Sequence, residues 1–135
     1  MTSLITSISE TMIRVLSIFL ISVACLTLAC NIIVHVKSAT NTTFQAQVIA
    51  PNGQKSEKWN FTKNREKQTF QQKADECGVR DWQIQIFDSK GGAKFTEKVK
   101  IDGIGRVLYE VKDDLKPVQV ERQGAQCTGQ CAPLA

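Results

Sequence analysis

Histidine occurs once in these 135 residues, at His35, and tyrosine once, at Tyr109. Metal and nucleophile sites need several Cys or His residues converging, so one histidine with five cysteines excludes most versions of both. Positive charge is also in short supply: 17 basic residues against 13 acidic leave a net charge of +4. A nucleic-acid binder needs a dense positive stripe to displace counterions from phosphates, so nucleic acid is excluded as a partner. With only three prolines and 42% hydrophobic residues the chain is not a disordered or fibrous one, and its length holds a single small domain.

There is one long apolar run, VLSIFLISVACLTLA at 15–29, preceded by Arg14. A membrane-crossing helix needs about 20 apolar residues, so this shorter run reads as a secretory signal peptide. Residues 1–29 are expected to be removed after Ala29, where Thr27 supplies the second small residue; Ala24 with Ser22 is the other candidate site. Cleavage after Ala29 leaves an even number of cysteines, which favours it. The eleven residues before Met12 hold no basic residue, so Met12 is a candidate true start. The mature chain is therefore expected to be secreted, extracellular and without a stable membrane span.

Secretion sets how the cysteines are read. Cys30, Cys77, Cys127 and Cys131 are expected to form two disulfides, because thiols in an oxidising compartment find partners. Four cysteines allow three pairings. Cys77, just before a core strand, is expected to join the C-terminal pair and so pin the tail, 124–135, to a domain at 30–123. Cys127-Thr-Gly-Gln-Cys131 lacks the second close pair of a zinc site, and neither metal nor other cofactor is expected. Asn41-Thr42-Thr43 and Asn60-Phe61-Thr62 fit the N-glycosylation acceptor pattern.

Beyond Asn31 the hydrophobic period is close to two. Ile32, Val34 and Val36 alternate with polar neighbours, as do Phe44, Ala46 and Val48 before the turn Pro51-Asn52-Gly53. Trp59 and Phe61 mark a strand with Asn60 facing solvent, and Thr69 with Phe70 a weaker one. In 81–88, Trp82, Ile84 and Ile86 share one face, and Ser89-Lys90-Gly91-Gly92 turns the chain. Phe95, Val99 and Ile101 are expected to point inward. Asp102-Gly103-Ile104-Gly105 reads as a hairpin turn, followed by Val107, Tyr109 and Val111 and a short strand over Val118 and Val120. The pattern predicts an all-β fold: an antiparallel two-layer β-sandwich of immunoglobulin-like size with seven to eight strands. Short connections leave no room for crossover helices, so neighbouring strands are expected to be antiparallel. Trp59 and Trp82 are the expected core anchors, with the lining of a sugar or lipid site as the alternative. In size, leader and strand pattern the chain resembles small secreted sandwiches such as transthyretin-like proteins, a resemblance of architecture that carries over no residues.

No catalytic set emerges, and the chain is not expected to be an enzyme. His35 lies on an alternating strand, and the acid pairs Asp75 with Glu76 and Asp113 with Asp114 fall in loops, where charge is solvated. If Val99 and Ile101 face inward, Lys98 and Lys100 face out, and Lys90 and Lys94 flank the same hairpin. Such lysines deter edge-to-edge aggregation, and equally form an edge for an anionic ligand. The expected function is a non-catalytic binding or structural module whose partner is an unknown extracellular protein, glycan or lipid headgroup. The alternative is an antimicrobial or defence effector acting on anionic cell surfaces.

Overall fold

The computed structural model describes residues 12–15, which are helical, and 30–134. The expected signal peptide and both cleavage positions lie outside the described residues, apart from 12–15. Among the described residues no helix is long and apolar enough to cross a membrane.

The remaining chain is a β-sandwich whose strands are fixed by alternation. In β1 (Cys30–Ser38), Ile32, Val34 and Val36 are fully buried while Ile33, His35 and Lys37 are half-buried on the other face. β2 (Phe44–Ile49) buries Phe44, Ala46 and Val48, and β5 (Trp82–Asp88) buries Trp82, Ile84 and Ile86. β7 (Ile104–Val111) buries Val107, Tyr109 and Val111. β-branched and aromatic side chains pack well on a pleated surface, and each such aliphatic residue stabilises by about 1.5–3 kcal/mol on burial. Shorter or more polar strands complete the order: β3 (Trp59–Phe61), β4 (Lys67–Ala74), β6 (Ala93–Asp102), β8 (Pro117–Gln123) and β9 (Gln126–Thr128).

Two sheets result, one in the order β4-β1-β7-β8 and the other β3-β2-β5-β6-β9. Their inner faces enclose one core. Phe44 stacks on Phe61 at 4.7 Å within the second sheet, and Phe70 of the first meets the edge of Trp82 of the second at 6.3 Å. Trp82 is fully buried and its indole N–H donates to the Ile101 carbonyl at 3.2 Å, which meets the need of a buried donor. Trp59 is half-buried and packs against the core rim, and Asn60 beside it is exposed.

Among the described residues all strand pairs are antiparallel but one. β1 runs parallel to β7, with His35 opposite Leu108 and Lys37 opposite Glu110. Short connections do exclude parallel pairing between successive strands, but β1 and β7 are not successive: the intervening strands of both sheets form the crossover that a helix makes elsewhere. Asp102-Gly103-Ile104-Gly105 is likewise no hairpin. β6 ends at Asp102 in one sheet and β7 begins at Ile104 in the other, so Gly103, at φ +94°, turns a corner between layers. Its carbonyl accepts from the Asn31 N–H at 2.9 Å, tying that corner to the start of β1.

Among the described residues two disulfides form, with a different pairing from the expected one: Cys30 bonds Cys77, and Cys127 bonds Cys131. Cys77 does not reach the tail because it follows β4, and β4 pairs with β1 so that Cys30 lies opposite Ala74. The chain after β4 therefore bends back onto the first residue of β1. At the other end Gly129, at φ +113°, reverses the chain just after β9 and brings Cys131 to Cys127. Phe95 also departs from expectation and is 42% exposed. It lies opposite Ile86 on the inner face, but on the part of β6 ahead of β9, which pairs only with Lys100, Ile101 and Asp102.

Candidate functional site

The β5–β6 hairpin presents the predicted lysines. Its turn is held by Asp88, whose Oδ1 accepts from the N–H groups of Lys90 at 2.9 Å and Gly92 at 2.8 Å. The Gly92 bond above all holds this carboxyl below its ordinary value, with the Lys90 bond and the nearby Lys94 and Lys90 charges adding to it. Gly91 takes φ +88° and donates to the Asp88 carbonyl at 3.0 Å, a conformation that suits glycine. Lys90, Lys94, Lys98 and Lys100 are all exposed. Lys98 and Lys100 stand on one face of β6 while Val99 between them is 4% exposed and packs inward. Side chains two apart on a strand project about 6.6 Å from one another on the same face.

Beyond those lysines the outer face of the second sheet is built of amides, which sequence reading did not single out. Lys98 lies opposite Gln83, Thr96 opposite Gln85, and Gln85 in turn opposite Gln47. Gln45 donates through Nε2 to Asn60 Oδ1 at 2.8 Å, and Gln85 Nε2 to Gln83 Oε1 at 3.3 Å. Lys58 places its Nζ 4.0 Å from the Phe87 ring centroid. The outward positions of β2, of β5 through Phe87, and of β6 from Thr96 to Lys100 carry no carboxylate. What results is a surface of hydrogen-bonding amides with a cationic border.

The opposite sheet carries different chemistry. A cavity of about 110 Å³ is lined by His35, Lys67, Arg106, Val107, Leu108 and Glu121. His35 Nδ1 and Thr69 Oγ1 are hydrogen-bonded at 2.8 Å. Burial, with Lys67 and Arg106 nearby, holds the imidazole below its ordinary value, against the opposing pull of Glu121. Next to it lies a shallow groove of about 350 Å³ lined by Asn31, Ile33, Ile104, Gly105 and Arg106. A third cleft, about 410 Å³, opens between β6 and β8 beside the Cys127–Cys131 loop. Lys67, Arg106 and Glu121 are far apart in the chain, and only the strand register brings them to His35, so no sequence signal could have found them.

The other predicted residues are placed as follows. Asp75 and Glu76 are exposed in the loop after β4, and Asp113 and Asp114 are exposed in the β7–β8 turn, where the Thr40 hydroxyl donates to Asp113 and Asp114 accepts from the Lys116 N–H at 3.0 Å. Among the described residues no three His, Cys, Asp or Glu side chains cluster as a metal site would require. Asn41 and Asn60 are both exposed.

No protein family matches the chain, and no curated protein matches it. Among solved structures the chain is similar to parts of three: the human-specific toxin intermedilysin, at 8% identity and TM-score 0.34 over 73% of this chain and 23% of that one; a disulfide-locked mutant of intermedilysin with human CD59, at 8% and 0.37 over 74% and 24%; and pneumolysin, at 11% and 0.31 over 74% and 24%. The chain spans about a quarter of the length of these structures.

Proposed function

We propose that the protein is a secreted, non-catalytic extracellular binding module that holds an acidic glycan on the outer face of β2, β5 and β6. The observation that carries this reading is the carboxylate-free amide surface of Gln45, Gln47, Gln83 and Gln85 bordered by Lys98 and Lys100. Amides donate and accept at once, which suits sugar hydroxyls, and ammonium groups supply point charges for sulfate or carboxylate without demanding bidentate geometry. Two disulfides suit an oxidising compartment, and the exposed Asn41 and Asn60 are accessible to glycosylation on a eukaryotic secretory route.

Salt elution from immobilised heparin tests the proposal. The Lys98→Glu/Lys100→Glu double variant should elute at lower salt than the parent protein, since two attractive charges become repulsive. Unchanged retention removes the idea, and loss of binding to acidic liposomes with unchanged heparin retention reassigns the face to lipid headgroups. The net charge of +4 also suits a defence effector. Growth inhibition or liposome leakage by the purified protein would favour that reading, and inertness in both the binding module.

A further inference from the structure

We propose a second site, on the opposite sheet, for a free amphiphilic anion: its carboxylate or sulfate head enters the cavity at His35, Lys67 and Arg106, and its apolar body lies along the groove at Ile33 and Ile104. The strand register builds this site in adjoining rows. One row across the outer face runs Thr69, His35, Leu108, Glu121; the next runs Gln71, Ile33, Arg106, Gln123; the third sets Asn31 beside Ile104. Arg106 lines both the 110 Å³ cavity and the 350 Å³ groove, so the two depressions adjoin at its side chain.

The head end is short of negative charge. Lys67 from β4 and Arg106 from β7 face His35 against the single carboxylate of Glu121 from β8, and their joint effect on the imidazole is to oppose its protonation. An arriving anion reverses that balance and is welcomed by all three nitrogenous groups. The hydrogen-bonding pattern leaves the right atoms over: His35 uses Nδ1 on Thr69, which leaves Nε2, and Arg106 uses Nε on Gln123 Oε1 at 2.7 Å, which fixes the guanidinium plane while its terminal nitrogens remain. The tail end is apolar and bare. Ile104 is 59% exposed, and Gly105 and Gly124 line the groove beside it. From the His35 row to the Ile104 row is two strand repeats, about 13 Å, a length suited to a medium-chain fatty acid and not to a bare inorganic anion.

The test is an NMR titration of the exported protein with decanoate below its aggregation concentration, with octyl glucoside as the neutral amphiphile and inorganic phosphate as the head alone. Decanoate is expected to shift the Ile33 and Ile104 methyl signals and to raise the titration midpoint of His35. It should bind at least tenfold more tightly than either control. Arg106→Gln should weaken decanoate about tenfold, with Arg106→Lys recovering part of the loss, and neither should change heparin retention, which belongs to the other sheet. Lys67→Gln serves in place of Arg106→Gln if the latter fails to fold. Equal affinity for octyl glucoside, absence of shifts at Ile33 and Ile104, or binding to phosphatidylglycerol vesicles without binding to decanoate would each overturn the proposal.

Discussion

The Gln119 side chain donates through Nε2 to the Tyr109 hydroxyl at 3.0 Å, and its Oε1 accepts from the Ala132 N–H at 3.1 Å. Both residues point into the sandwich, Tyr109 1% and Gln119 9% exposed, while the apolar Val118 and Val120 on either side of Gln119 face out at 49% and 43%. A polar residue has the inward position because it alone can satisfy a phenol and an orphan backbone donor together. Gln119→Leu keeps the volume and strands both partners, at about 1–3 kcal/mol for each buried group left unsatisfied. Urea unfolding should show that loss, and a variant as stable as the parent would mean that water reaches this end of the core.

Tyr109 also provides a reporter of unfolding in alkali, because it is the only tyrosine. Burial pushes its hydroxyl well above the ordinary value of 10.0; the Gln119 hydrogen bond works against the shift and Glu97 with it. A folded-state value above the unfolded one means that stability is intact below pH 10 and is lost as pH rises past it. Tyrosinate absorbance should therefore appear together with the loss of the β-sheet circular dichroism signal. A phenol that titrates near 10 in a folded protein would contradict its burial.

The two disulfides should differ sharply in reactivity and worth. Cys30 and Cys77 are 0% and 7% exposed and lie 47 residues apart, whereas Cys127 and Cys131 are half-buried and only 4 apart. Loop-closure entropy assigns about 4 kcal/mol to the first and about 2 kcal/mol to the second. Mild reduction followed by alkylation and mass spectrometry should label Cys127 and Cys131 first, with Cys30 and Cys77 labelled only as the protein unfolds. Replacing the Cys30–Cys77 pair by alanine should lower the urea midpoint by the larger amount.

Alternation made β1, β2, β5 and β7 legible, since each has one face in the core and a one-residue slip would turn Trp82 or Val34 into water. The same period says which way a side chain points, not which strand lies beside it. Hence the β1–β7 pairing, the corner at Gly103 and the partner of Cys77 were out of reach, each being a fact about neighbours. Gln72 shows the limit for burial: it is fully buried on β4 because Nε2 bonds the Cys77 carbonyl at 2.8 Å, an acceptor supplied by the loop that the disulfide folds back. The lysines of β6 were legible in position from Val99 and Ile101. Their amide neighbours were not, because these come from strands whose pairing no local pattern encodes.

Two glycines, one at the corner between sheets and one just after it, separate steric from conformational cost. A Cβ on Gly105 would lie 2.2 Å from the Gln123 carbonyl oxygen and 2.3 Å from the Ala125 nitrogen, backbone atoms that cannot swing aside. Gly103 has φ +94° and nothing within 4 Å of such a Cβ, so substitution there costs only the left-handed conformation. Gly103→Ala should destabilise by about 1–2 kcal/mol. Gly105→Ala must push β7 away from the chain joining β8 to β9 and should cost about 3 kcal/mol or more, the upper end for overpacking. Urea midpoints of the two variants decide the matter, and a Gly105→Ala protein more stable than Gly103→Ala would show that β7 and that connection do not meet backbone to backbone.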